Sequence, residues 1–352
     1  GKAALEGFRD VPGARIIVFF PEEGVSQIQK LQMTTQEGNN TWVVGVRGNF
    51  DDTQNGVKAI FTDAAIIKDL AAKKLAFSSA NSINWGRLVP QIVYYFYGYL
   101  ELCRRGTVKP GGPINIAVPT GNFGNILAAY FAREMGLPIA RMICASNSNN
   151  VLTDFINTGF YDRNRSFYTT ISPSMDILIS SNLERLLFYL SGKDPDRVNE
   201  WMRELKSKGS YRVDQGTASR IQGLFYGGYA DETETRKTIE RVYREFGYVM
   251  DPHTAVGEAV IERYQQTTGD DLPVLLVATA SPFKFNRSVA EAILGEAEIQ
   301  DRSEFELLEK LREISGREIP AGLRGLDQKE IRHRTVCSSE AMPRVVREIL
   351  GV

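Results

Sequence analysis

Gly121, Asn122, Phe123 and Gly124 stand between an apolar run, Ile114 to Val118, and a helix-patterned run, Ile126 to Met135. In that order of strand, turn and helix, the two glycines let successive backbone N–H groups converge on one point. The helix start adds free donors and the positive end of its dipole. Such a cup suits a dianionic phosphate. The turn has neither the GK[ST] ending of a nucleoside-triphosphate loop nor the G-x-G-x-x-G of a dinucleotide fold. A plain tight turn is the competing reading, and the turn alone does not separate the two.

Four other stretches gather groups able to do chemistry. Ser78 to Asn84 is a polar cluster before a long aromatic helix, with Arg87 one turn in. Its hydroxyls and amides suit an N-cap, and Arg87 adds a planar cation able to clamp a phosphate or carboxylate. Ser172 to Asp176 precede a short strand pattern, and Asp251 to Gly257 open a helical pattern that carries His253. At a helix start the dipole disfavours imidazolium, so this histidine suits a neutral, structural role first and a base second. Thr279 and Ser281 follow the short apolar run Val274 to Val277. Hydroxyls at the C-terminal end of a strand face the ligand crevice of an open α/β sheet, though a turn with a satisfied hydroxyl uses the same residues.

The elements that must hold these groups alternate. Helix 2–9, strand 15–20, helix 25–34, strand 41–46, helix 53–72 and strand 75–78 predict a small parallel sheet with crossover helices. After a Pro/Gly turn at 107–112 come strand 114–118, helix 126–135, strand 141–145 and a short helix, 151–157. Asn147, Asn149 and Asn150 then fall at the same sheet edge as the cup. A strand at 177–179 and helices at 182–190, 194–207, 234–246 and 251–266 follow, while 208–232 shows no clear period beyond a short helix at 218–225. Beyond Glu296 the chain is charge-rich and helical at 303–314 and 342–350. These patterns divide the chain into a small α/β subdomain over 1–78, a large α/β domain over 79–295, and a helical extension over 296–352 packing on the large domain.

Composition narrows the function. With 352 residues, 43% hydrophobic and 24% charged, and 42 basic against 43 acidic side chains, the chain reads as an ordinary globular protein. Nothing in it calls for nucleic acid or a membrane. Three scattered cysteines, Cys103, Cys144 and Cys337, and two histidines argue against disulfides and zinc, and for a cytoplasmic setting. Gly1 opens directly in helical pattern with no cap, so the sequence reads as cut at its N-terminus.

Together, Asn81-Ser82-Ile83-Asn84-Trp85, Pro119-Thr120-Gly121-Asn122-Phe123-Gly124-Asn125, Ser172-Pro173-Ser174-Met175-Asp176, Asp251-Pro252-His253-Thr254-Ala255-Val256 and Thr279-Ala280-Ser281-Pro282-Phe283-Lys284-Phe285 resemble threonine synthase in order and spacing. The resemblance implies the architecture of the fold type II pyridoxal-phosphate enzymes: two parallel or mixed open sheets with helices on both faces, here incomplete at the N-terminus. It implies conversion of O-phospho-L-homoserine and water into L-threonine and phosphate. Gly121, Asn122, Phe123, Gly124 and Asn125 would hold the phosphate of pyridoxal 5'-phosphate, and Thr279 would face its pyridine nitrogen. Ser82, Asn84 and Arg87 would contact the substrate's phosphate. In the family the Schiff-base lysine precedes a Ser-Gly-Asp-Thr-Gly motif whose last glycine Gly1 resembles. That lysine is therefore expected upstream, no catalytic residue is assigned within the chain, and neither Lys2 nor Lys284 matches its position. Two alternatives share these motifs: a phospho-lyase releasing a keto acid, and a non-catalytic homologue that binds a phosphorylated ligand. Oligomeric state is not legible.

Overall fold

A computed structural model describes residues 2–22, 25–48, 50–79 and 84–352. The chain divides into two units, one of Gly1–Ala80 with Arg302–Arg312 and Arg317–Val352, the other of Asn81–Asp301 with Glu313–Gly316. The strands, in chain order, are β1 (Ile16–Pro21), β2 (Thr41–Arg47), β3 (Ile114–Pro119), β4 (Ile139–Ser146), β5 (Phe160–Asp162), β6 (Ser210–Arg212), β7 (Phe225–Tyr229), β8 (Val274–Leu276) and β9 (Val336–Ser338). Among the described residues no helix is long and apolar enough to cross a membrane.

The second unit carries a parallel sheet in the order β7-β4-β3-β8. Every residue of β3 is buried, as a strand covered on both faces requires. Side chains alternate between those faces. Ile114, Ile116, Val118, Met142 and Cys144 pack into one cluster with helix Gly124–Glu134. Ala117, Ile143 and Ala145 pack on the other side with Val256, Ala259 and Val260 of helix Pro252–Thr268. A small antiparallel pair, β5 with β6, stands apart. This is an α/β fold with an open parallel sheet and helices on both faces, as expected.

The first unit repeats the scheme with three parallel strands, β1-β2-β9. Val44 and Val46 face Ile60, Ile66, Leu70, Met342 and Val346 on one side, and Val43 and Phe20 face Leu5 on the other. Here the sequence reading needs correction. The segment over 296–352 is divided: 296–301 and 313–316 group with the second unit, whereas 302–312 and 317–352 group with the first, where Val336–Ser338 pairs with Gly45–Arg47 and helix Met342–Leu350 covers the sheet. Residues 75–78 form no strand, and β9 supplies the third strand instead. The single helix expected over 53–72 is two, Phe50–Thr62 and Ala64–Ala72, because Asp63 turns its carboxylate onto the N–H groups of Ala65 and Ile66 and starts a new helix. Residues 177–179 are irregular rather than strand.

Candidate active site

β3 runs out at Pro119, and the chain turns through Thr120–Phe123 into the helix starting at Gly124. Phe123 takes φ 61°, a left-handed conformation that costs a non-glycine residue about 1–3 kcal/mol. Burial secures it: its ring is 1% exposed and lies 5.8 Å from Phe225. The turn's carbonyls are engaged on the side away from its donors. Ser180 Oγ donates to the Gly121 carbonyl at 2.9 Å, and Asn182 donates to the Asn122 carbonyl through Nδ2 at 2.8 Å. No side chain caps the helix start. The N–H groups from Gly121 to Ile126 therefore keep no protein acceptor among the described residues.

These residues line one cavity of about 350 Å³. Its other walls come from the segments that follow neighbouring elements. Thr279 and Ala280 arrive from β8, which lies beside β3 in the sheet. Ser174 and Met175 come from a 3-10 turn, and His253 from the start of helix Pro252–Thr268. Gln91 projects from helix Trp85–Arg104, and Lys284 from the turn after Ala280. Thr279 is exposed, and its hydroxyl has no protein partner among the described residues.

The walls are braced from behind. Tyr95, 1% exposed, gives its hydroxyl to the side-chain oxygen of Asn125, and burial holds that phenol well above its usual range. Asp176 accepts from Asn147 Nδ2 at 2.7 Å, Asn149 Nδ2 at 3.0 Å, Thr170 N at 2.9 Å and Thr170 Oγ1 at 2.7 Å, and so fixes the loop that carries Ser174. That loop presses on the cup: a Cβ at Gly121 would stand 2.4 Å from the Ser174 carbonyl oxygen.

His253 ties the loop to the sheet. Its Nδ1 lies 3.0 Å from Asp251 Oδ1, and its Nε2 accepts the Ser174 N–H at 3.3 Å. Accepting at Nε2 places the proton on Nδ1, the tautomer Asp251 selects. Burial pushes the Asp251 carboxyl up, but hydrogen bonds from His253 and Thr254 outweigh it and hold the group below the ordinary carboxylate range. Gly257, one turn on from His253, permits the approach, since a Cβ there would meet Leu276 Cδ1 at 2.5 Å. Burial lowers the Lys284 pKa below the ordinary lysine value, with Asp251 pulling the other way.

The structure thus brings together Gly121, Asn122, Phe123, Gly124, Asn125 and Thr279. It does not bring Asn84 or Arg87 to this cavity: Asn84 caps its helix by accepting the Gly86 N–H at 2.9 Å, and Arg87 is exposed. Ser82 lies outside the described residues. Sequence reasoning gave Ser174, Met175, Gln91 and Lys284 no role here. Gln91 had one available signal, its place four residues beyond Arg87 on the same helix face.

A parallel open sheet with a phosphate-sized cup and a lone hydroxyl at its C-terminal edge is the arrangement of the fold type II pyridoxal-phosphate enzymes, and solved structures agree. The chain superposes on threonine synthase from yeast with a TM-score of 0.83 and 33% identity, covering 100% of this chain and 68% of that one. On PLP-bound threonine synthase from Brucella melitensis the TM-score is 0.81, with 36% identity over 99% of this chain and 68% of that one. The family described as "Threonine synthase, C-terminal" matches residues 254–346. The chain belongs to the threonine synthase family. It is also 43% identical over 300 residues to human threonine synthase-like 1, spanning 83% of this chain and only 40% of that protein's length.

Proposed function

We propose that the protein binds pyridoxal 5'-phosphate in this cavity and converts O-phospho-L-homoserine and water into L-threonine and phosphate, in the cytoplasm. The observation that carries the reading is the shared wall of unpaired N–H donors at Gly121–Ile126 facing the same space as Thr279. The fit is chemical: a phosphate takes those donors and the helix dipole, and the close approach of Ser174 to Gly121 leaves no space for a side chain beneath it. When bound, the cofactor supplies an electron sink for carbanion chemistry at the amino acid. Asn125, held by Tyr95, orients one side of the cup. Thr279 offers a neutral hydroxyl where an aspartate would force the pyridine nitrogen to stay protonated. His253 keeps Ser174 and Met175 against the cup, and Gln91 adds to the cavity's lining. The proton-transfer lysine that the resemblance implies is not assigned to a residue of this chain.

A second reading, a phospho-lyase that releases a keto acid, uses the same motifs and the same cavity. A third, binding of a phosphorylated ligand without turnover, is compatible with the same cavity. Product analysis with O-phospho-L-homoserine and pyridoxal phosphate separates them: threonine with equimolar phosphate supports the first, a keto acid the second. If visible-edge absorbance is not retained after removal of excess cofactor, the premise shared by the first two readings fails and the third stands.

A further inference from the structure

We propose that Lys284 receives the phosphate-ester group of the substrate, while the backbone cup takes the phosphate of the cofactor. This rests on the pyridoxal-phosphate reading above. Among the described residues that line the cavity, Lys284 is the one lysine or arginine. It is half-buried and makes no hydrogen bond or ion pair with protein among the described residues, with its Nζ lying 5.2 Å from the Phe285 ring centre. The nearby carboxylate does not serve it: Asp251 Oδ1 accepts from His253 N at 2.9 Å and faces His253 Nδ1, and Oδ2 takes the Thr254 hydroxyl. A partly desolvated ammonium without a hydrogen-bond acceptor is unfavourable and becomes favourable once an anion enters.

Charge balance points to which anion. The cup already meets one phosphate with uncharged N–H donors, which need no cation beside them. A phosphate-ester substrate places a second dianion within the same cavity of about 350 Å³, beside a buried Asp251. Two such groups repel strongly at close range in a partly water-excluded space, and a cation between them changes the sign of that interaction. Arg87, expected from sequence to supply this charge, does not line the cavity, and Lys284 does. The flexible four-carbon stem lets the ammonium follow a group that must leave as free phosphate.

The test compares two ligands on the wild type, Lys284→Met and Lys284→Arg: pyridoxal phosphate by retained absorbance, and 2-amino-5-phosphonopentanoate by calorimetry on the cofactor-loaded protein. Met keeps the apolar stem and Arg keeps the charge, and unfolding midpoints confirm folding. Phosphonate affinity is expected to fall at least about tenfold in Lys284→Met and to recover largely in Lys284→Arg, with cofactor affinity within about threefold of wild type throughout. Unchanged phosphonate binding in Lys284→Met overturns the inference. So does an equal loss of both ligands, which would assign Lys284 to the cup's phosphate, or wild-type protein that holds cofactor and not phosphonate. Failure of the wild type to hold cofactor overturns the functional reading itself.

Discussion

Replacing Gly121 by alanine tests whether the cup is shaped by the loop beneath it. The added methyl would stand 2.4 Å from the Ser174 carbonyl oxygen and 3.3 Å from Met175 Cα. Ordinary contact begins about 1 Å farther out than the first of these, so either the loop or the turn must retreat by that much. The loop is poorly placed to move: His253 holds Ser174 N at 3.3 Å, and the Met175 N–H is bound to the Ser172 carbonyl at 3.0 Å. Overpacking of this kind costs about 1–3 kcal/mol, and the lower chain entropy of alanine returns about 0.4–1, leaving a net loss of roughly 1–2 kcal/mol. At roughly 2–4 °C per kcal/mol, the unfolding midpoint should drop by a few degrees. If the turn is what shifts, one N–H donor to the cofactor phosphate is misaligned, and affinity for pyridoxal phosphate should fall about tenfold or more. Gly223→Ala is the control: it lies in helix Gln215–Leu224, a Cβ there meets nothing within 4 Å, and roughly 0.5–1 kcal/mol of stabilisation is expected. Thermal unfolding with and without cofactor reads both. A Gly121→Ala protein matching wild type in midpoint and cofactor affinity would refute the reasoning.

Asp176→Ala leaves Asn147 and Asn149 amides and the Thr170 N–H short of an acceptor, so roughly 2–4 kcal/mol of stability should be lost, with weaker cofactor retention, by denaturant titration and absorbance. Tyr95→Phe removes the bond to Asn125 and should cost about 1 kcal/mol while loosening the cofactor several-fold, checked by the same pair of measurements. Because the Asp251 pKa is depressed in the folded state, its contribution is present above the ordinary value of 3.8 and is lost as pH falls through the folded value. Asp251→Asn should therefore lower the midpoint at neutral pH and flatten its decline below about pH 4, as followed by unfolding against pH.

The strand, turn and helix of the cup were legible because β3 is covered on both faces and reads as a mostly apolar run, broken only by Asn115, that leads into a turn with two glycines, Gly121 and Gly124. Thr279 was legible for the same reason, since β8 ends beside β3 and sheet neighbours share an edge. β7 was not: Phe225–Tyr229 carries two glycines, which no strand propensity favours, and they stand there because a Cβ at Gly227 would meet the Thr153 carbonyl at 2.9 Å and one at Gly228 would meet Val260 Cγ1 at 2.6 Å. β9 was hidden by its three-residue length and by pairing with a strand far away in sequence. His253 and Lys284 were read as a helix-start histidine and a lysine off the family position. Only the packing of Phe285 against the imidazole, with ring centres 4.8 Å apart, and the turn at 282–285 bring them to one cavity.

β9 also sets an order of events on the ribosome. Synthesis proceeds from the N-terminus, and domains generally fold as units when their residues have emerged. The four-stranded sheet has all its strands once Leu276 is out, whereas β2 keeps one edge bare until Val336–Ser338 arrives. The unit holding β1 and β2 is therefore completed after the four-stranded sheet, although those two strands are made before it. Until β9 arrives, β2 carries open backbone donors and acceptors along that edge, a condition in which a nascent chain is exposed to wrong pairing.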